Sequence, residues 1–349
     1  MLLLFGGYFF VLPPRVIAVY PEGSDNVPLD SKLAIKFNKP IKRQEIKYLI
    51  SPEAYGEWKF EDPLLEKHLF RTLVFIPAMD FDSDTSYEVK LEDIKGFGIS
   101  GQNDFSFSFK TKVADISLSP EVKAEEEESP PMPEITQPAL PEKKVEIKKT
   151  EVKPKTEMTL LKIAVDWQDD PLSCEAASLK MALAYKGVSV SEKAIMDKIG
   201  YDPTPHRGNI WGDPYESYVG DIRGQMCSTG YGVYWEPVAK AAKNWRTSES
   251  FSGWKIEDLI REIKAGNPIV FWGVLPTGTL TNCSWSTSEG KYVMAYKEDH
   301  VRLVVGFIGS STNPTKIIIN DPLSGRLYWS TDYFLQNWKA FNYSGVVIR

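Results

Sequence analysis

Residues 166–187 read DWQDDPLSCEAASLKMALAYKG, and the place of one cysteine in this run decides how the chain is read. Ser173 suits a helix N-cap, so Cys174 becomes the first helical residue and Gly187 the stop. Ala176, Leu179 and Leu183 fall on one stripe and Ala177, Met181 and Ala184 on its neighbour, which predicts a helix buried over most of its surface. Its amino end is left facing outward, where the helix dipole and free backbone amides favour a thiolate. A nucleophilic cysteine requires that placement. Gln168, six residues earlier, then has a purpose: its side-chain amide and the backbone N–H of Cys174 would hold the oxyanion of a tetrahedral intermediate.

Such a cysteine needs a base, and the chain has three histidines. His68 lies among strand-like residues, in EKHLF, and reads as a surface residue. His206 sits in TPHRGNIWGDP, a Gly- and Pro-rich loop where nothing fixes its orientation. His300 leads the apolar run HVRLVVGFI, at the edge of a strong strand, and is preferred. That run, the turn GSSTNP and then TKIIINDP predict an antiparallel hairpin centred near Ser311. Its register puts His300 opposite Asp321 or Pro322, within a residue of register, close enough for a carboxylate to orient the imidazole. Asn320 competes for that role, and Asp321 before Pro322 also suits a simple turn.

With these residues in place, Gln168, Cys174, His300 and Asp321 in "NDP", together with AGNPIVFWGV, DHVRLVVGFIG, IIINDPLSG and GDPYESYVGDIRG, resemble the bacteriocin-processing-like branch of the papain-like cysteine peptidases. The resemblance spans nearly all of residues 159–349 and implies an α+β cysteine peptidase domain. In it Cys174 is the nucleophile, His300 the general base, Asp321 its orienter and Gln168 the oxyanion donor. Glu175 departs from the family, whose members often carry Gly after the cysteine; a charge there would raise the thiol pKa. Nothing encodes the transporter to which peptide-exporting members are fused.

The region before this reads differently. RVIAVYP, KLAIKFNKPI, GEWKFED, TLVFIPAM, SYEVKLEDI and FSFSFKTK alternate apolar and polar residues between turn residues, the signature of an all-β sandwich. VYPEGSDNVPLDSKLAIKFNKPI, TLVFIPAMDFDSDTSYEVKL and FSFSFKT resemble the bacterial Ig-like domains of surface-layer and other exported proteins, over residues 14–113. The implied role is a spacer or adhesion module toward the cell envelope. Residues 114–158 are rich in Pro, Glu and Lys without an aromatic residue or Gly, which predicts a disordered linker. Residues 1–13, from MLLLFGGYFFVLPP, are too short for a spanning helix of about 20 residues and read as part of a membrane anchor or export segment.

The expected organisation is therefore multidomain and its location extracellular, at the cell surface or membrane-anchored. Export would allow Cys227 and Cys283 to pair; otherwise both stay reduced. The net charge of −6 makes nucleic acid an unsuitable partner. Three scattered histidines without CxxC or HExxH offer no metal site, and no cofactor is expected. In the aromatic loop 206–237, Trp211, Tyr215, Tyr231 and Trp235 are expected walls of a peptide or protein substrate cleft. A peptidoglycan amidase or endopeptidase, and an inactive surface binding or adhesion module, are the alternatives to a peptidase.

Overall fold

The structure, a computed structural model, describes residues 13–22, 25–42, 46–64, 66–96, 103–113, 157–275 and 280–349. Residues 1–12 of the expected anchor segment and 114–156 of the expected linker lie outside the described residues, as does the side chain of His68.

Alternating side chains build the N-terminal sandwich. One sheet has four strands, in the order Val16–Tyr20, Leu33–Lys42, Glu66–Pro77 and Gly56–Leu64; the other has Lys47–Ser51, Ser86–Ile94 and Asn103–Lys110. Leu33, Ile35 and Phe37 point inward with Leu73 and Phe75, and meet Val89, Leu91 and Phe109 from the facing sheet. Only Ile50 is buried in Lys47–Ser51, so that strand carries no alternation and escapes a reading by period. The Ig-like fold is thus present.

In the C-terminal part, one antiparallel sheet runs in the order Ser248–Phe251, Gly345–Ile348, Ile269–Val274, Asp299–Ser310, Asn313–Asp321 and Gly325–Ser330. Met158–Leu160 pairs with the far end of Asp299–Ser310, so Met158 belongs to the fold and not to the linker. Asp299–Ser310 is buried without interruption from Asp299 to Ile308, because neighbours flank it on both edges and helices cover it. The helix Cys174–Tyr185 packs on it, and Ser178 donates a hydrogen bond to the Val301 carbonyl at 3.3 Å. Helix and strand thereby bring Cys174 and His300 to one end of the sheet.

The hairpin lies within a residue of the expected register. Its strands extend to Ser310 and Asn313, so the turn is tighter, and Leu303 faces Asn320. Continuing this ladder sets Asp321 beside Arg302, and His300 reaches Asp321 diagonally from two residues away on the same face. The two folded parts also touch: the Lys316 ammonium donates to the Ala78 carbonyl, and a cavity of about 440 Å³ lies between Tyr48 and Trp58 on one side and Trp167 and Tyr328 on the other.

Candidate active site

Ser173 occupies the N-cap position of the cysteine helix, yet its hydroxyl does not cap it. It bonds Glu192 at 2.6 Å and the Asp170 carbonyl at 3.1 Å, while both Glu192 carboxylate oxygens accept from the Asp169 amide. Glu192, buried in the next helix, Glu192–Ile199, therefore ties the loop carrying Gln168 to the start of the cysteine helix.

Cys174 is the single free cysteine among the described residues and is buried. Its Sγ accepts from the Val301 amide at 3.4 Å and contacts Glu175 Oε2 at the same distance. Burial, then the carboxyls of Glu175 and Asp299, push the thiol pKa well up. The resting thiol is therefore protonated, and these effects exceed the helix-end stabilisation of a thiolate.

His300 and Asp321 form a buried pair, Nε2 to Oδ1 at 3.0 Å. Burial alone would raise the Asp321 pKa; the His300 ring, Arg302 and the Leu323 amide outweigh it and hold the carboxyl well below its usual range. Arg302 Nε donates to Oδ2 at 2.6 Å, and the Leu323 and Ser324 amides donate to Oδ1 at 2.7 and 3.0 Å. His300 is lowered below 6.5, chiefly by burial, with Arg302 adding to it and Asp321 opposing. Asn320 points away from His300: its Nδ2 donates to the Ile163 and Ala164 carbonyls and its Oδ1 accepts from Arg326, on the opposite face of the strand.

Gln168 lines the same cavity as Cys174 and His300, but its Nε2 donates to the Asp170 and Pro171 carbonyls at 2.8 and 2.9 Å. Its Oε1 is buried without a partner. The amide donor is thus engaged within its own loop.

Glu175 is 3% exposed and accepts from the Val233 amide through Oε1 at 3.0 Å. Burial lifts its pKa to about 7. Gly232 leaves room for the carboxyl, since a Cβ there would collide with Oε1. Trp272, donating to the Val233 carbonyl at 3.0 Å, fixes this backbone in turn.

Of the four expected cleft aromatics, Tyr231 lines the cavity, while Trp211, Tyr215 and Trp235 do not. They pack inward instead: Trp211 lies against His206 and Trp285, and Tyr215 and Trp235 against Tyr234. A loop so poor in aliphatics uses its own rings as core. His206 bonds the Ser228 carbonyl at 2.8 Å and does not line the cavity. Asp299 and Arg302 were not singled out by the sequence reading; charged residues inside the run DHVRLVV were the available signal. Cys227 and Cys283 are joined as a disulfide. Among the described residues no group of His, Cys, Asp or Glu is placed to hold a metal ion.

Residues 159–346 match the sequence profile of the Peptidase_C39 like family. The chain belongs to that family. Residues 11–111 match the profile described as Bacterial Ig-like domain. The C39-like domain is similar to the uncharacterized protein YvpB of Bacillus subtilis (strain 168), 28% identical over 184 residues, covering 50% of this chain and 68% of that protein. Among solved structures it is similar to a putative C39-like peptidase from Bacillus anthracis, with 25% identity and a TM-score of 0.48 over 55% of this chain and 98% of that one. The peptidase domain of Streptococcus ComA, a bifunctional ABC transporter involved in a quorum sensing pathway, is 14% identical with a TM-score of 0.32, over 53% and 97% of the two chains.

Proposed function

We propose that the C39-like domain hydrolyses peptide bonds with Cys174 as nucleophile, His300 as general base and Asp321 as its orienter. The observation that carries this reading is the buried His300 and Asp321 pair lining, through His300, the cavity that holds Cys174 at a helix amino end.

His300 Nε2 is engaged by Asp321, so Nδ1 is the atom left to take the thiol proton. Since thiol and imidazole are both neutral at rest, proton transfer accompanies attack on the carbonyl carbon and does not precede it. The anionic Asp321 then stabilises the imidazolium. The oxyanion meets the Cys174 amide, whose position in the first helical turn has no intrahelical acceptor. Gln168 Nε2 joins it by leaving the Asp170 and Pro171 carbonyls. The imidazolium protonates the leaving amine, and His300 next deprotonates the water that releases the acyl group from sulfur.

We also place this reaction outside the cytoplasm, as a secreted, surface or membrane-anchored activity; the Ig-like domain and the disulfide between Cys227 and Cys283 support that reading. A second reading, a peptide-binding module without turnover, is favoured by the contact between Cys174 and Glu175. Incubating the full chain with a proteome-derived peptide library separates the two. New peptide termini that vanish in Cys174→Ala support the peptidase. Peptide capture without cleavage by either protein supports the binding module.

A further inference from the structure

The cavity beside Cys174 has a volume of about 120 Å³ and is lined by Gln168, Glu175, Tyr231, Asp299 and His300 among others. Its unmatched hydrogen-bonding atoms are acceptors. Asp299 is 6% exposed and its Oδ1 has no partner, although Tyr231 reaches the same carboxyl; Gln168 Oε1 has none either. Glu175 Oε2 contacts the weak thiol donor of Cys174. Buried polar atoms are normally paired, so a site with two unpaired acceptors and a third on a weak donor lacks a donor group. Arg302 does not supply it: its Nε and Nη2 go to Asp321 and the Val274 carbonyl, its Nη1 is buried without a partner, and the residue does not line this cavity.

We propose that this cavity is a subsite for a primary ammonium group on the substrate, carried by a residue next to the scissile bond. The inference rests on the peptidase reading and adds a substrate class to it. An ammonium has three N–H donors and no acceptor, which matches Asp299 Oδ1, Gln168 Oε1 and Glu175 Oε2. The volume accommodates an aminoalkyl terminus, being a few times the roughly 30 Å³ of a water molecule. Burial first and then the Glu175 carboxyl push the Asp299 pKa well up, and a cation bound here would bring it back down. Gln168 Oε1 is free in the resting site, so it can accept from the ammonium as substrate docks, before Nε2 turns to the oxyanion. Lys297, exposed and also lining the cavity, is the internal competitor for the same place.

The experiment is a binding comparison that needs no turnover. Two octapeptide libraries, identical except for lysine or norleucine at the two positions flanking the central bond, are titrated into full-length Cys174→Ala and into the same protein carrying Lys297→Met. The expected result is a lysine preference of about tenfold or more, as for a hydrogen bond to a charged group. Asp299→Asn and Glu175→Gln should each reduce it. Equal affinity for the two libraries in both proteins would overturn the proposal, as would a preference untouched by either carboxyl substitution. Incubating the wild type with both libraries keeps the two readings apart: equal cleavage sinks the subsite alone, whereas lysine-selective binding with no cleavage sinks the peptidase alone.

Discussion

At Cys174 two effects of opposite sign meet. A helix amino end favours a thiolate by about 0.3–1 kcal/mol, whereas burial and the Glu175 and Asp299 carboxyls push the thiol up, and they prevail. Glu175→Gly should therefore make Cys174 more reactive, with alkylation by iodoacetamide beginning at lower pH than in the wild type; an unchanged pH profile would show that the carboxyl has no hold on the thiol. Glu175 also affects stability. Its carboxyl near 7 in the fold, against 4.5 when unfolded, binds its proton more tightly in the native state. That contribution is complete below about pH 4.5 and is lost as pH rises through 7, amounting to about 3 kcal/mol. In urea titrations Glu175→Gln should gain on the wild type by that amount between about pH 4.5 and 8. His300 acts the other way, since its lowered pKa adds stability that disappears as pH falls below 6.5, and it is common to both proteins. The sequence made Cys174, His300 and Asp321 legible because each stands at the end of a regular element. Asp299 and Arg302 were not, because a charge within an apolar run does not announce its partner.

The elements that carry these residues were legible to different degrees. The helix Cys174–Tyr185 agrees with the expected bounds because Ser173 and Gly187 punctuate a run of good helix formers. The helix Glu192–Ile199 is too short and too mixed in polarity to stand out by period, yet its Glu192 anchors the loop of Gln168. In the hairpin, Asn313 and Pro314 already belong to the strand where the composition predicts turn, which shifts the register by about a residue. Packing between helix and sheet is the mechanical basis of the site. Leu179, fully buried on the cysteine helix, should cost about 2–5 kcal/mol on substitution by Ala, measured by denaturant unfolding. The disulfide between Cys227 and Cys283 closes a separation of 56 residues. Replacing both by Ala should cost about 4 kcal/mol in the chain-entropy account, with no change in fold by circular dichroism.

For the whole molecule, the sandwich, the change in composition at residue 114 and the C-terminal α+β domain were each readable, because period and composition are averages over many residues. Contacts between the two domains were not, since no local pattern encodes which surfaces meet. The face carrying Tyr48 and Trp58 lies across a cavity from Trp167, the neighbour of Gln168. Trp58→Ala should leave the cleavage of short peptides within about twofold and weaken the capture of long ones, read as a rise in KM with kcat unchanged. The central claim, acyl transfer to Cys174, is tested most directly by rapid acid quench of the full-length protein mixed with a peptide library, followed by mass spectrometry of the Cys174 peptide. The account predicts acyl adducts on Cys174 that are absent from Cys174→Ala and strongly diminished in His300→Ala. Peptides recovered intact, with Cys174 unmodified at every quench time, would contradict it.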